Sequence, residues 1–211
     1  MKQLLSSLII VLLISCGNKK IVQLPEINHS DITEILDVSP AYLFYDETKP
    51  DSIELNRKNL ISTTNWLVNV DKRLSLEQAI PSIVFIQNKK RDAQIHKNER
   101  SRNYYTCHFK ELNTLGFIDF TDIYYHQEDF QDYMKNKKHE NFSVIFINST
   151  SRSSEYIDNQ IKQIKDLDSL SKKVYLHFDK KMNFQQYITC KEQLLKIDST
   201  QINIDNNEFI Y

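Results

Sequence analysis

Ten residues at 71–80, DKRLSLEQAI, have a counterpart at 179–188, DKKMNFQQYI, and both carry the local chemistry of a helix start. Ser75 with Gln78, and Asn183 with Gln186, set a short side-chain oxygen before a helix and an amide three residues later. Two orphan backbone N–H groups are then satisfied reciprocally. In the second stretch Phe184, Tyr187, Ile188 and Leu195 mark an apolar stripe. In the first, Pro81 falls six residues past the cap, which predicts a kink or a displaced helix start.

The flanking order of elements repeats as well. WLVNVD (66–71) alternates with Trp66, Val68 and Val70 on one side, and VYLHFD (174–179) matches it, each ending in Asp before a basic pair. AYLFYD (41–46) and FSVIFIN (142–148) read as strands upstream. Between strands, DSIELNRKNLISTTN (51–65) reads either as a helix opened by Asp51 and Glu54 or as the return arm of a hairpin turning at 48–51. SEYIDNQIKQIKDL (154–167) has Ile157, Ile161 and Ile164 at helical spacing. LGFIDF (115–120) and QINID (201–205) close the two sets. The expectation is an α/β (or α+β) chain of two similar βαβαβ-type units of short strands and amphipathic helices, at 41–125 and 141–211, joined by the polar segment 126–140.

Glycine narrows the chemistry. The chain has two, Gly17 and Gly116. Phosphate cradles, dinucleotide turns, nucleophile elbows and EF-hand loops all need glycine for positive φ or close backbone approach, and none of these motifs is present. A formal charge of −1 provides no general field for nucleic acid.

The first twenty residues, MKQLLSSLIIVLLISCGNKK, place Lys2 before an apolar run from Leu4 to Ile14. Eleven helical residues rise about 16 Å, roughly half of a ~30 Å hydrocarbon core, so the run suits an export signal better than a permanent span. Leu13-Ile14-Ser15-Cys16 resembles the lipobox of bacterial lipoproteins. That resemblance implies cleavage after Ser15, a diacylglycerol thioether on Cys16, and acylation of the new amino-terminus, with residues 1–15 as signal and 16–40 as a lipidated tether. Gly17 after the cysteine implies the outer membrane. The CGNKK start resembles lipoproteins of Bacteroidota, and Lys19-Lys20 in place of an acidic patch implies the periplasmic face. Each half also resembles, over about 40 residues, the periplasmic domain of the ExbD/TolR family: strand, Asp-containing turn, amphipathic helix, strand. The membrane helix of that family is missing here, so the resemblance implies only a small domain that docks on envelope partners.

Candidate sites are sparse. Cys107 and Cys190, the two thiols outside the signal, are either a disulfide joining the halves or two buried free thiols. Cys107 reads as part of the loop before the LGFIDF strand and Cys190 as part of the later unit's second helix, and the neighbours Cys107 and His108 are expected to point their side chains apart. The six histidines have no HxH or HExxH spacing, and no cofactor or metal is expected. NKKRDAQIHKNERSR (88–102) reads as a basic inserted loop, with Lys89, Lys90, Arg91, Lys97, Arg100 and Arg102 as candidate contacts to an anionic surface. The expected function is a membrane-tethered, non-enzymatic lipoprotein that binds or scaffolds an envelope protein. The alternatives are a small periplasmic hydrolase, or a ligand-binding lipoprotein with a cleft between the halves.

Overall fold

Reciprocal capping organises the chain around two helix starts. In the computed structural model, which describes residues 20–48, 53–93, 98–135, 137, 141–149, 159, 173–196 and 202–211, Ser75 opens helix α1 (Leu76–Arg91). Asn183 opens α3 (Phe184–Leu194), each with both arms of a capping box in place. Pro81 lies inside α1 and leaves its start at Ser75 undisplaced. Cys16, the signal stretch, Lys97 and all but Asn159 of the predicted helix at 154–167 fall outside the described residues.

The first sheet comprises β1 (Glu26–Ile27), β2 (Val38–Tyr45), β3 (Ile53–Asn56), β4 (Asn65–Val70), β5 (Asn103–Phe109) and β6 (Thr114–Asp119). Strands β2, β4 and β5 are parallel neighbours in that order, with β3 and β6 folded back antiparallel on either side. Ile53–Asn56 is therefore the hairpin arm, and no described residue of segment 51–65 is helical. The second sheet is wholly parallel, in the order β7 (Tyr124–His126), β10 (Asn203–Ile210), β9 (Lys173–Phe178), β8 (Phe142–Ile147). A short helix, α2 (Phe130–Met134), lies between β7 and β8 in the chain. Both units thus run a strand, a parallel neighbour, a helix and a third parallel strand. The chain is α/β, with two sheets and one continuous hydrophobic core that includes Trp66, Val68, Tyr105 and Ile80 from one unit and Val174, Phe178, Phe184 and Tyr187 from the other.

The two helix starts bond to each other. Leu76 N donates to Met182 O at 2.8 Å and Phe184 N to Leu74 O at 2.7 Å; Glu77 N donates to Lys180 O at 2.9 Å and Gln185 N to Lys72 O at 3.1 Å. Exchanging the two ten-residue stretches exchanges the members of each pair, a local two-fold relation centred on the Ser75–Asn183 bridge.

Three boundaries differ from expectation. The tether expected over 16–40 is built into the sheet from its middle: Glu26 and Ile27 align with His108 and Phe109, and Ile27 is fully buried. The reason is Gly116. A Cβ there would lie 2.8 Å from Ile27 Cδ1 and 2.8 Å from Ser30 Cβ, so the missing side chain admits this segment. Residues 124–126, at the junction of the first unit and the connector, pair with β10 of the second sheet. Finally, α1 leads into β5, and LGFIDF is the antiparallel return from it, so Cys107 sits within a strand rather than in a loop before one.

Candidate functional site

Three cations of the predicted basic loop are bonded into the fold, although most of its described residues are exposed. Residues 88–91 are the last turn of α1, where cations meet unsatisfied helix carbonyls. Lys90 is buried and donates to Thr64 O at 3.1 Å, Arg102 O at 2.9 Å and Asn103 Oδ1 at 3.1 Å. Burial pushes its pKa down to about 8. Arg91 bonds Thr121 O and Ile123 O at 2.9 and 2.8 Å, and Arg102 holds Asp119 at 2.7 Å and Asp122 at 3.0 Å. Of the six cations proposed for an anionic surface, Lys89 and Arg100 are exposed. The other described three are spent on the fold. Their partners come from the segments before β4 and around β6, distant in sequence, which a local reading of the run does not supply.

The thiols of Cys107 and Cys190 are free and buried. Burial pushes the Cys107 thiol well up and that of Cys190 up to about 12, so neither is poised as a nucleophile. His108 points away from Cys107, towards Asn113 Oδ1 at 3.0 Å. Among the described residues no group of three or more His, Cys, Asp or Glu is placed to hold a metal ion.

A buried polar chain crosses the boundary between units, where a ligand cleft was an alternative; concavities of about 710 Å³, between Arg73 and Lys181, and about 290 Å³, between Ser30 and Glu192, open elsewhere along it. Tyr105 (β5) bonds Tyr125 (β7) at 2.7 Å, Tyr125 bonds Tyr187 (α3) at 3.0 Å, and Tyr187 donates to Glu208 Oε2 (β10) at 2.8 Å. Lys191 closes the chain on Glu208 Oε1. Burial raises the phenol pKa values of Tyr105, Tyr125 and Tyr187, which fixes them as protonated donors.

The most site-like surface is on the outer face of the second sheet. The single-residue alternation of a strand sends Leu176 and Phe178 into the core and Tyr175 and His177 to the opposite face. There α2 covers them: Phe130 stands edge-on to His177 at 4.8 Å, while Phe209 stacks on it at 4.9 Å and 23°. A concavity of about 490 Å³ opens beside this cluster, lined by Glu128, Asp129, Phe130, Phe146, His177, Phe209 and Tyr211 among others. Phe146 and Tyr211 remain 53% and 46% exposed. His177 itself is 5% exposed, and among the described residues its Nε2 has no hydrogen-bond partner. Burial lowers its pKa to about 4, against a smaller upward pull from Asp129, so the ring is neutral at pH 7. A neutral imidazole, phenyl faces and two carboxylates at the rim favour a cation with apolar neighbours. Alternation along VYLHFD is enough to separate His177 from Leu176 and Phe178, but not to reveal the cover, because Phe130 and Tyr133 belong to the segment 126–140 that reads as a polar connector.

A pH dependence follows. His177 takes up its proton near pH 6.5 when unfolded and near 4 when folded, so the unfolded chain binds more protons between these values and stability falls as pH drops from 6.5 towards 4. The expected NMR titration midpoint of His177 is near 4, and His177→Phe should flatten the slope of stability against pH in that window. A midpoint near 6.5 would contradict the burial.

No family model, curated protein or solved structure matches this chain. No helix among the described residues is long and apolar enough to cross a membrane.

Proposed function

We propose that this chain is a lipid-anchored, non-enzymatic component of the cell envelope, in the outer membrane on its periplasmic side, built from two copies of one α/β element. Its second sheet docks a basic segment of an envelope protein. The lipobox at 13–16 supports the anchor, and the reciprocal bonds around Ser75 and Asn183 support the duplication. The observation that carries the docking role is the aromatic concavity with Glu128 and Asp129 at its rim and half-exposed Phe146 and Tyr211 at its mouth. Exposed aromatics around a pocket are the usual anchors of protein recognition. Against the hydrolase alternative stands the commitment of the buried carboxylates: Asp71 is held by Arg73, Glu208 by Lys191 and Tyr187, and Glu192 by Asn28 N and Lys196.

The test is binding of Arg/Leu and Glu/Leu peptides of equal length, followed calorimetrically. The Arg peptide should bind preferentially. Glu128→Lys and Phe146→Ser should each weaken it about tenfold, equivalent to ~1.4 kcal/mol, while Lys89→Glu, on the last turn of α1, should not. Equal binding of both peptides, or indifference to Glu128→Lys and Phe146→Ser, would remove the docking role.

A further inference from the structure

The anchor reading leaves open how far the body stands from the membrane, and the fold decides it. The chain is fixed much earlier than its composition suggests. Gln23 N donates to Asp71 Oδ2 at 3.1 Å, Lys72 N donates to Gln23 O at 2.8 Å, and Glu26 N donates to Gln185 Oε1 at 2.7 Å. Gln23 is therefore already bonded to the first of the two reciprocal turns. Only seven peptide steps separate it from Cys16. Fully extended they reach about 24 Å, and as flexible chain they average about 15 Å. The headgroup layer itself takes about 5–8 Å of that.

We propose that the paired turns 71–75 and 179–183 form the surface that lies against the bilayer holding the anchor. The inference rests on lipidation of Cys16. The two turns are bonded together through Lys72, Leu74, Lys180 and Met182, so a tether rooted on one brings both to the membrane. Tether length sets the contact, and charge adds little. Lys20, Lys72 and Arg73 are already paired with Glu54, Glu26 and Asp71, which leaves the exposed Lys180 and Lys181 to meet lipid phosphates. Exposed Ile21 lies on the tether side of Gln23. A folded partner domain of about 100 residues, with a radius of gyration near 13 Å, does not fit between these turns and the bilayer. A partner must approach from another side.

The experiment uses the lipidated full chain in vesicles of phosphatidylethanolamine and phosphatidylglycerol carrying a headgroup acceptor dye, with a donor on Lys181→Cys. The native thiols are buried and stay unlabelled in the folded protein. A second version carries a Gly/Ser spacer of about 20 residues between Lys19 and Lys20, which roughly doubles the mean tether span. Energy transfer should be high in the first and fall by about half in the second. If the protein fails to float with the vesicles, the anchor reading is wrong and this inference falls with it. If it floats but transfer is low in both versions, or unchanged by the spacer, the anchor stands and the membrane-facing surface is refuted.

Discussion

Lys191→Met is expected to cost about 3–5 kcal/mol of folding stability, the loss that follows when one partner of a buried ion pair is removed and the other is left behind. Glu208 is 1% exposed and Lys191 8%. The carboxylate sits at the end of the Tyr105–Tyr125–Tyr187 chain, with the tyrosine hydroxyl on one oxygen and the ammonium on the other. Without Lys191 a single phenol remains to solvate a charge that water cannot reach. Urea unfolding at neutral pH measures this. The double variant Lys191→Met with Glu208→Gln, which removes both charges and keeps an acceptor for Tyr187, should regain most of the loss. A single variant within about 1 kcal/mol of the parent would mean that the pair is solvated.

The polar chain also shows why some features were legible in the sequence and others were not. Local chemistry was readable. Ser75–Gln78 and Asn183–Gln186 announced both helix starts, and alternation placed Trp66, Val68 and Val70 on one face of a strand. These depend on neighbours a few residues apart. Whether two distant segments meet depends on shape. Nothing in QINIDNNEFIY marks Glu208 as the partner of Lys191, and nothing in the proline-containing stretch before residue 40 marks Ile27 as the filler of the space over Gly116. Segment 51–65 remained ambiguous because its capping signal and its hairpin turn occupy the same residues. The basic run is hard to read for a related reason: Lys90 and Arg91 look solvated until the carbonyls of Thr64, Thr121 and Ile123 are brought beside them, and Arg102 until Asp119 and Asp122 are. The aromatic concavity draws on α2, β8, β9 and β10, four elements that no single window of sequence spans.

The two turn aspartates test how far two similar sequences have taken different burdens. Asp71 and Asp179 occupy matching places: each follows a strand, and each backbone N–H donates to the neighbouring parallel strand, to Leu43 O at 3.0 Å and Ile147 O at 2.9 Å. Their side chains differ. Asp71 is fully buried and accepts from Gln23 N, Arg73 N, Arg73 Nε and the Arg73 terminal nitrogen, at 3.1, 3.1, 2.9 and 2.9 Å. Asp179 is half-buried and accepts from Lys181 N at 2.8 Å and Ser149 N at 3.3 Å. Asp71→Ala strips a bidentate partner from a largely covered guanidinium and leaves two backbone amides unmet, which should cost about 3 kcal/mol. Asp179→Ala loses two amide bonds near solvent and should cost about 1 kcal/mol. The more telling difference is spatial. Asp71→Ala should speed amide exchange at Gln23 and loosen the segment before β1, whereas Asp179→Ala should leave Gln23 protected. Equal costs, or a Gln23 amide whose exchange ignores Asp71, would mean that this carboxylate does not fasten the segment, which is then held by Lys72 N, Gln185 and β1 pairing.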